Sequence, residues 1–292
     1  MFNFSYKTQR YLILFGFLTI PLALLFTFTF YPAAALLYFS FTEWDGLGFD
    51  MKWIGLENYK EVFARPELFG VFKNNLYYFI GGLIQLAIAL YFAVILTGKV
   101  RGRNFFRVII FLPYILHSVA TAIMFKNMYH AEYGVINTIL GSIGLESWQQ
   151  LWLADTRFNN FALAFVSMWK FLGLNMVIFI GALQSIPDDM YEAAKIDGAS
   201  KWQSFRFITI PSIRRVIELM MILTLTGALE VFDIPKVMTN GVNGTNTFVL
   251  QAIDTAYSYQ KFGLASAMSV VLLLMVVAVI LIQRKLLFRG EE

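Results

Sequence analysis

From Tyr11 to Thr42 no residue carries a charge, and a helix of about 20 residues is already enough to cross the roughly 30 Å hydrocarbon layer of a bilayer. The run predicts one tilted span over 11–39, with YPAAALL inside the helix rather than at a signal-processing site. Uncharged runs at 74–98, 108–125 and 262–283 predict three more. Two further spans carry ions: 161–186 contains Lys170, and 212–234 contains Glu218, Glu230 and Asp233 around the apolar core LMMILTLTGAL. The pattern therefore predicts an all-α integral membrane protein with six transmembrane helices. Residues 11–288 form one membrane domain, between a short segment 1–10 and a tail 289–292. A β-barrel is excluded because its strands read as ten-residue alternation, and continuous apolar runs satisfy their backbone as helices.

Composition agrees with this class. The chain has 292 residues, 58% of them hydrophobic and 14% charged, with a mean hydropathy of +0.63; a soluble domain of this length carries more polar surface. There is no cysteine, which removes disulfides and thiolate chemistry. A net charge of +4 and two histidines suggest neither a nucleic-acid stripe nor a metal site.

Charge placement orients the six predicted spans. With the N-terminus inside, the inner segments 1–10, 98–107, 188–215 and 284–292 hold fourteen Lys and Arg against six acidic residues, and the outer segments hold eight against ten. The positive-inside rule then puts both termini in the cytoplasm, with a cytoplasmic loop, 188–211, between the fourth and fifth helices.

That loop, DDMYEAAKIDGASKWQSFRFITIP, predicts two short helices about a turn. Asp189 is placed to cap the first, with Glu192 three residues on. Gly198 suits a left-handed helix end, Ser200 and Gln203 form a second capping pair, and Pro211 fits the first turn of the next helix. Ala193, Ala194, Ile196 and Ala199 keep the segment small and apolar. From pattern alone it serves either partner docking or packing on the membrane surface.

Ions inside spans are expensive and point to function or to internal pairing. Ser167, Lys170 and Leu174 share one helical side by their three- and four-residue spacings; that face either lines a path, or Lys170 snorkels or pairs within the bundle. Asn175 bonds a solute or a neighbouring helix. Glu230 and Asp233 face an aqueous opening or a protein partner, or are solvated at a helix end. Glu218 pairs with Arg214 or Arg215. Trp44, Trp53, Tyr77, Tyr78 and Trp169 read as interface or packing aromatics. Glycosidase chemistry does not follow from the scattered acidic pairs.

The run EAAKIDG from Glu192 to Gly198, then Ile208, Ile210 and Pro211, resembles the cytoplasmic signature of permease subunits of binding-protein-dependent ABC importers, with Ile210 where that family prefers Leu. GALQSIPDDMYEAAKIDGAS resembles the carbohydrate branch, of the maltose and glycerol-phosphate type. KWIGLENYKEVF (52–63), LPYILHSVATAIMFKNMYHAEYGVINTIL (112–140), ALEVFDIPKVMTNG (228–241) and FGLASAMSVVLLL (262–274) resemble the first of the two permeases in such importers. The likeness covers roughly residues 10 to 288.

The resemblance implies a bacterial or archaeal multi-pass membrane protein that works with a second homologous permease, two cytoplasmic ATPases and an extracytoplasmic solute-binding protein. It implies a carbohydrate substrate, alternating access, and ATPase coupling through Glu192, Ala193, Ala194, Gly198, Ile208 and Pro211. The candidate substrate path comprises Ser167, Lys170, Leu174, Asn175 and Glu230. No catalytic residue, metal or cofactor is expected on this chain; ATP and Mg belong to the ATPases, since the Gly-Lys pair at 98 and 99 lacks the rest of a phosphate-binding loop. The competing classes are an ion-coupled secondary transporter, which works without ATPases, and a membrane scaffold that transports nothing.

Overall fold

The computed structural model describes residues 5–48 and 50–287; the tail 289–292 and the first four residues of segment 1–10 lie outside them. The principal helices are α1 (Tyr6–Phe39), α2 (Glu57–Ala64), α3 (Phe72–Thr97), α4 (Arg103–Ile115), α5 (Ser118–Met128), α6 (Val135–Ser142), α7 (Asn159–Gln184), α8 (Asp188–Ile196), α9 (Arg214–Leu229), α10 (Asp233–Met238), α11 (Phe248–Tyr257) and α12 (Phe262–Leu287). One two-residue antiparallel ladder pairs Thr42 with Trp53 and Glu43 with Lys52.

The six-span expectation is wrong. Among the described residues four helices are long and apolar enough to cross a membrane, namely α1, Pro66–Thr97 (the turn Pro66–Phe69 and α3), α7 and α12; a fifth arises only if α4 and α5, which meet at 98°, count as one broken span. The predicted span 212–234 fails on length. Its helix α9 has 16 residues, about 24 Å at 1.5 Å per residue, which falls short of the hydrocarbon thickness. The predicted 108–125 span breaks at Leu116 and His117, after Pro113. The charge count that put both termini in the cytoplasm presupposed six crossings and loses its basis with them.

The chain forms two compact units. The first contains residues up to Arg65 with Ala252–Leu274. Here Asn58 Nδ2 donates to the carbonyls of Ser40 (3.0 Å) and Thr42 (2.8 Å), tying α2 to the end of α1. Gly263 sits where a Cβ would fall 1.9 Å from the Thr42 carbonyl oxygen, so only glycine permits this approach at the start of α12. Over its first 20 residues α1 buries nothing, an apolar surface suited to lipid.

The second unit, residues 66–251 and 275–287, is built on α3 and α7. Small residues set how closely its helices approach, the usual device where lipid removes the hydrophobic drive for helix association. A Cβ on Gly173 of α7 would lie 2.1 Å from the Ile110 carbonyl oxygen of α4, and one on Gly82 of α3 would meet the Thr224 methyl of α9 at 2.4 Å. Two apolar clusters result. One joins Tyr78, Phe125, Leu163, Val166, Ala228 and Ile234; the other joins Leu86, Ala93, Met176, Phe179, Ile213 and Met220. Along α3, α7 and α9 alike, a polar layer falls between the two.

Candidate functional site

That polar layer opens into a cavity of about 460 Å³ within the second unit. Four of the five predicted path residues, Ser167, Lys170, Leu174 and Asn175, line it from one side of α7, and Glu230 lines it from the end of α9. The structure thus brings all five to one place. It adds Gln85 on α3, Ser118 at the start of α5 and Thr224 on α9, whose roles the sequence did not single out, together with Tyr78 on α3, expected as an interface or packing aromatic, and Asp233 at the start of α10, for which an aqueous opening is one of the readings. Tyr78 reads as a packing aromatic in a chain with 30 Phe and 14 Tyr; only its position opposite α7 distinguishes it. Gln85 had a signal, since an amide in the middle of an uncharged span has to be satisfied by something.

Lys170 explains why the helix pair α4 and α5 can break inside the bundle. Its Nζ donates to the Leu116 carbonyl oxygen at 2.5 Å, in the gap between Ile115 and Ser118. A broken helix leaves carbonyls without intrahelical partners, tolerable at membrane depth only when protein or a water-lined cavity satisfies them. A lysine at the carbonyl end of α4 also meets the negative pole of the helix dipole. On the other side of the break, His117 Nδ1 accepts from the Val119 backbone N–H at 3.3 Å and caps α5. Of the two readings of Lys170, the structure supports parts of both: it is 5% exposed, bonded within the bundle, and it lines the cavity.

Asparagines outside the cavity lining tie the helix ends of this unit to neighbouring backbone. Asn75 Nδ2 donates to the Ala228 carbonyl at 2.7 Å and the Leu229 carbonyl at 3.2 Å, capping the end of α9 from α3. Asn159 and Asn160 at the start of α7 donate to the carbonyls of Asn243 (2.7 Å) and Gly244 (3.0 Å), and Asn74 to that of Asn246 (2.7 Å). They anchor the turn-rich TNGVNGTN stretch, where Asn240 and Asn243 adopt left-handed backbone. Glu218 pairs with Arg214, Nε to Oε1 at 2.6 Å, one of the two partners expected.

The segment 188–211 has the two-helix form expected of it. Ser200 and Gln203 make a reciprocal capping box, with Ser200 N donating to Gln203 Oε1 at 2.7 Å and Gln203 N to Ser200 Oγ at 3.3 Å. Gly198 takes φ of +76°, and Ala199 N returns to the Ala194 carbonyl at 2.9 Å to close the helix end. The cap on α8 differs: the helix starts at Asp188 after Pro187, which has no side-chain cap, and both aspartates lie in the first turn. There they favour the positive helix end without a capping hydrogen bond. Pro211 follows a wide π-helical turn at Phe205–Thr209. The wider turn accommodates a residue without an N–H whose ring would crowd the preceding carbonyls. Glu192, Ala193, Gly198 and Pro211 are exposed, whereas Ala194 and Ile208 are half-buried. Ile196 is 87% and Trp202 65% exposed.

The sequence profile described as "Binding-protein-dependent transport system inner membrane component" matches residues 67–289. The chain belongs to this family. It is therefore a permease subunit of an ABC importer, a multi-pass membrane protein of the bacterial and archaeal kind, and a transport component rather than an enzyme. It is 33% identical over 260 residues to the probable ABC transporter permease protein YurN of Bacillus subtilis, covering 87% of this chain and 89% of that protein. It is 31% identical over 234 residues to the trehalose/maltose transport system permease protein MalF of Thermococcus litoralis, covering 80% of this chain and 79% of that protein. Among solved structures, a chain of a bacterial ABC transporter involved in import of the acidic polysaccharide alginate matches with a TM-score of 0.86 over 98% of both chains at 20% identity, a likeness of fold. The permease family supplies the context for both regions described above, the cavity and the exposed segment.

Proposed function

We propose that this permease forms half of the translocation path of an ATP-driven carbohydrate importer, in the position of the first of two homologous permeases, and that residues 188–211 couple it to cytoplasmic ATPase subunits. A solute-binding protein delivers the sugar to the outward-open state. ATP binding on the partner subunits then moves the docked segments and the helices joined to them, so that the path alternates its access; hydrolysis returns it. Sugar biases this cycle only by binding the alternating states unequally. Membership of the permease family supports the partners, and the trehalose/maltose relative supports the substrate class.

The observation that carries the coupling reading is the exposed, doubly folded segment itself. Glu192 and Ala193 lie open on α8, the apolar Ile196 and Trp202 are left uncovered, and Gly198 fixes the angle between two short helices. Exposed apolar side chains on an ordered, capped element suit a protein cleft. The chain has no native cysteine, so Ala193→Cys paired with single cysteines in the ATPase cleft gives a clean cross-linking test. The expected outcome is an adduct that traps ATP turnover. Undiminished ATP-driven uptake by liposomes lacking the ATPases would sink the mechanism.

A further inference from the structure

The segment 188–211 holds one cross-link that its helix caps do not explain. The hydroxyls of Tyr191 on α8 and Thr209 at the end of the π-helical turn lie 2.9 Å from each other, across 18 positions of sequence. Thr209 Oγ1 also donates to the Ser204 carbonyl at 3.4 Å. A threonine hydroxyl has one hydrogen and two lone pairs, so with that hydrogen committed the remaining bond runs from the Tyr191 O–H to Thr209 Oγ1. Ser204 in turn donates to the Ser200 carbonyl, through its backbone N–H at 2.9 Å and its Oγ at 3.2 Å. A directed chain of hydrogen bonds therefore ties α8 to the π-helical turn and to the cap of the second short helix.

This chain stands where the segment leaves the helix bundle. Tyr191 and Ile208, both half-buried, pack against the apolar cluster that contains Met176, Phe179 and Ile213, and Thr209 is 5% exposed. Packing alone calls for no hydroxyl at 191, because a phenylalanine ring would fill the same space. On its open side α8 presents Glu192, Ala193 and Ile196. A displacement of that side reaches α9 by two routes. One follows the chain around the turn at Gly198, which is closed by bonds among neighbours. The other crosses directly from Tyr191 to Thr209, five residues before α9 begins at Arg214. Shielded from water, a linked set of hydrogen bonds holds more firmly than its members would on the surface.

Resting on the coupling reading above, we infer that Tyr191 and Thr209 are positioning residues for energy coupling: their hydroxyl bond braces α8 against the turn that leads into α9, so that movement of the docked face carries α9 with it instead of being absorbed at Gly198.

The test uses the complete importer with its binding protein in nanodiscs, with Mg-ATP and vanadate as the probe. Because the chain has no native cysteine, Thr224→Cys on α9, at the cavity lining, reports access by its rate of labelling with a water-soluble maleimide. Trapping the ATPases is expected to change that rate. Tyr191→Phe, which keeps the ring, and Thr209→Val should each shrink the change about two- to tenfold, the weakening that loss of one neutral hydrogen bond gives. Thr209→Ser should keep the full change, and the double variant Tyr191→Phe, Thr209→Val should be no worse than Thr209→Val alone. Losses that add in the double variant, or that Thr209→Ser shares, overturn the inference. A full change in Tyr191→Phe, with the Ala193→Cys cross-link to the ATPase still forming, overturns the brace and leaves the coupling reading standing. No nucleotide response and no cross-link in the chain without the Tyr191 and Thr209 substitutions removes the coupling reading, and the brace with it.

Discussion

The segment 188–211 and the polar cavity are built by opposite rules. In the segment most devices are local: Ser200 bonds Gln203, Ala199 returns to Ala194, Gly198 turns the chain, and the π-helical turn at 205–209 precedes Pro211; a longer tie, between the Tyr191 and Thr209 hydroxyls at 2.9 Å, still stays inside the segment. In the cavity the decisive contacts join residues far apart in sequence, such as Lys170 to Leu116 and Asn75 to Ala228, the latter 153 positions apart. The segment can keep its shape while it is moved. The cavity exists only while several helices stay in register. The proposed function asks the segment to transmit motion and the cavity to open and close, and the difference yields an ordered set of expectations.

The largest effect should come from the helix contact that frames the cavity. Gly173→Ala drives a methyl into the Ile110 backbone, and overpacking of this kind costs about 1–3 kcal/mol or more where backbone has to move. Gly181→Ala, with nothing within 4 Å of its Cβ, should leave the thermal midpoint of the detergent-solubilised protein unchanged. Equal behaviour of the two variants would show that the close approach of α4 and α7 is not needed.

Next comes Lys170→Met, which keeps a similar length but leaves the Leu116 carbonyl at the helix break without its donor. A loss of about 1–3 kcal/mol is expected, together with a marked fall in ATP-driven uptake. Normal stability and normal uptake would make the bond to Leu116 incidental.

Changes in the segment should act differently, on coupling before stability. Gly198→Ala places a Cβ in left-handed backbone at φ +76°, a strain of about 1–2 kcal/mol confined to the turn. It should lower sugar-stimulated ATP turnover in the assembled complex while leaving its thermal midpoint intact. Parallel loss of both would erase the distinction between the regions.

The smallest effect is expected from Ser200→Ala. Loss of the cap costs typically about 1 kcal/mol, and it should speed amide hydrogen exchange at 201–204 without altering the thermal midpoint of the whole chain.

How much of this was legible beforehand follows the same division. The turn at Gly198 and the Ser200–Gln203 box could be read from spacing alone, because capping is a contract between neighbours three residues apart. The shared side of Ser167, Lys170 and Leu174 was legible too, since helical periodicity fixes it. The number of spans was not. Hydropathy counts apolar residues but cannot see that α9 stops at Leu229 where Asn75 of α3 caps it, or that the 108–125 run turns through 98° at Leu116. Tyr78 stayed hidden because an aromatic in a long apolar helix looks the same whether it faces lipid, a neighbour or a cavity, and Gln85 signalled only that its amide avoids lipid, not what it faces.

By itself, then, the sequence determined the membrane class, the helical periodicities and the folded form of the exposed segment, since each depends on interactions within a few residues or on composition summed over a window. Only the tertiary structure decided where helices end, which carbonyl receives the buried lysine, and which side chains line the cavity. Those outcomes depend on how closely particular helices approach, which is set by contacts such as Gly173 against Ile110 that no local pattern encodes.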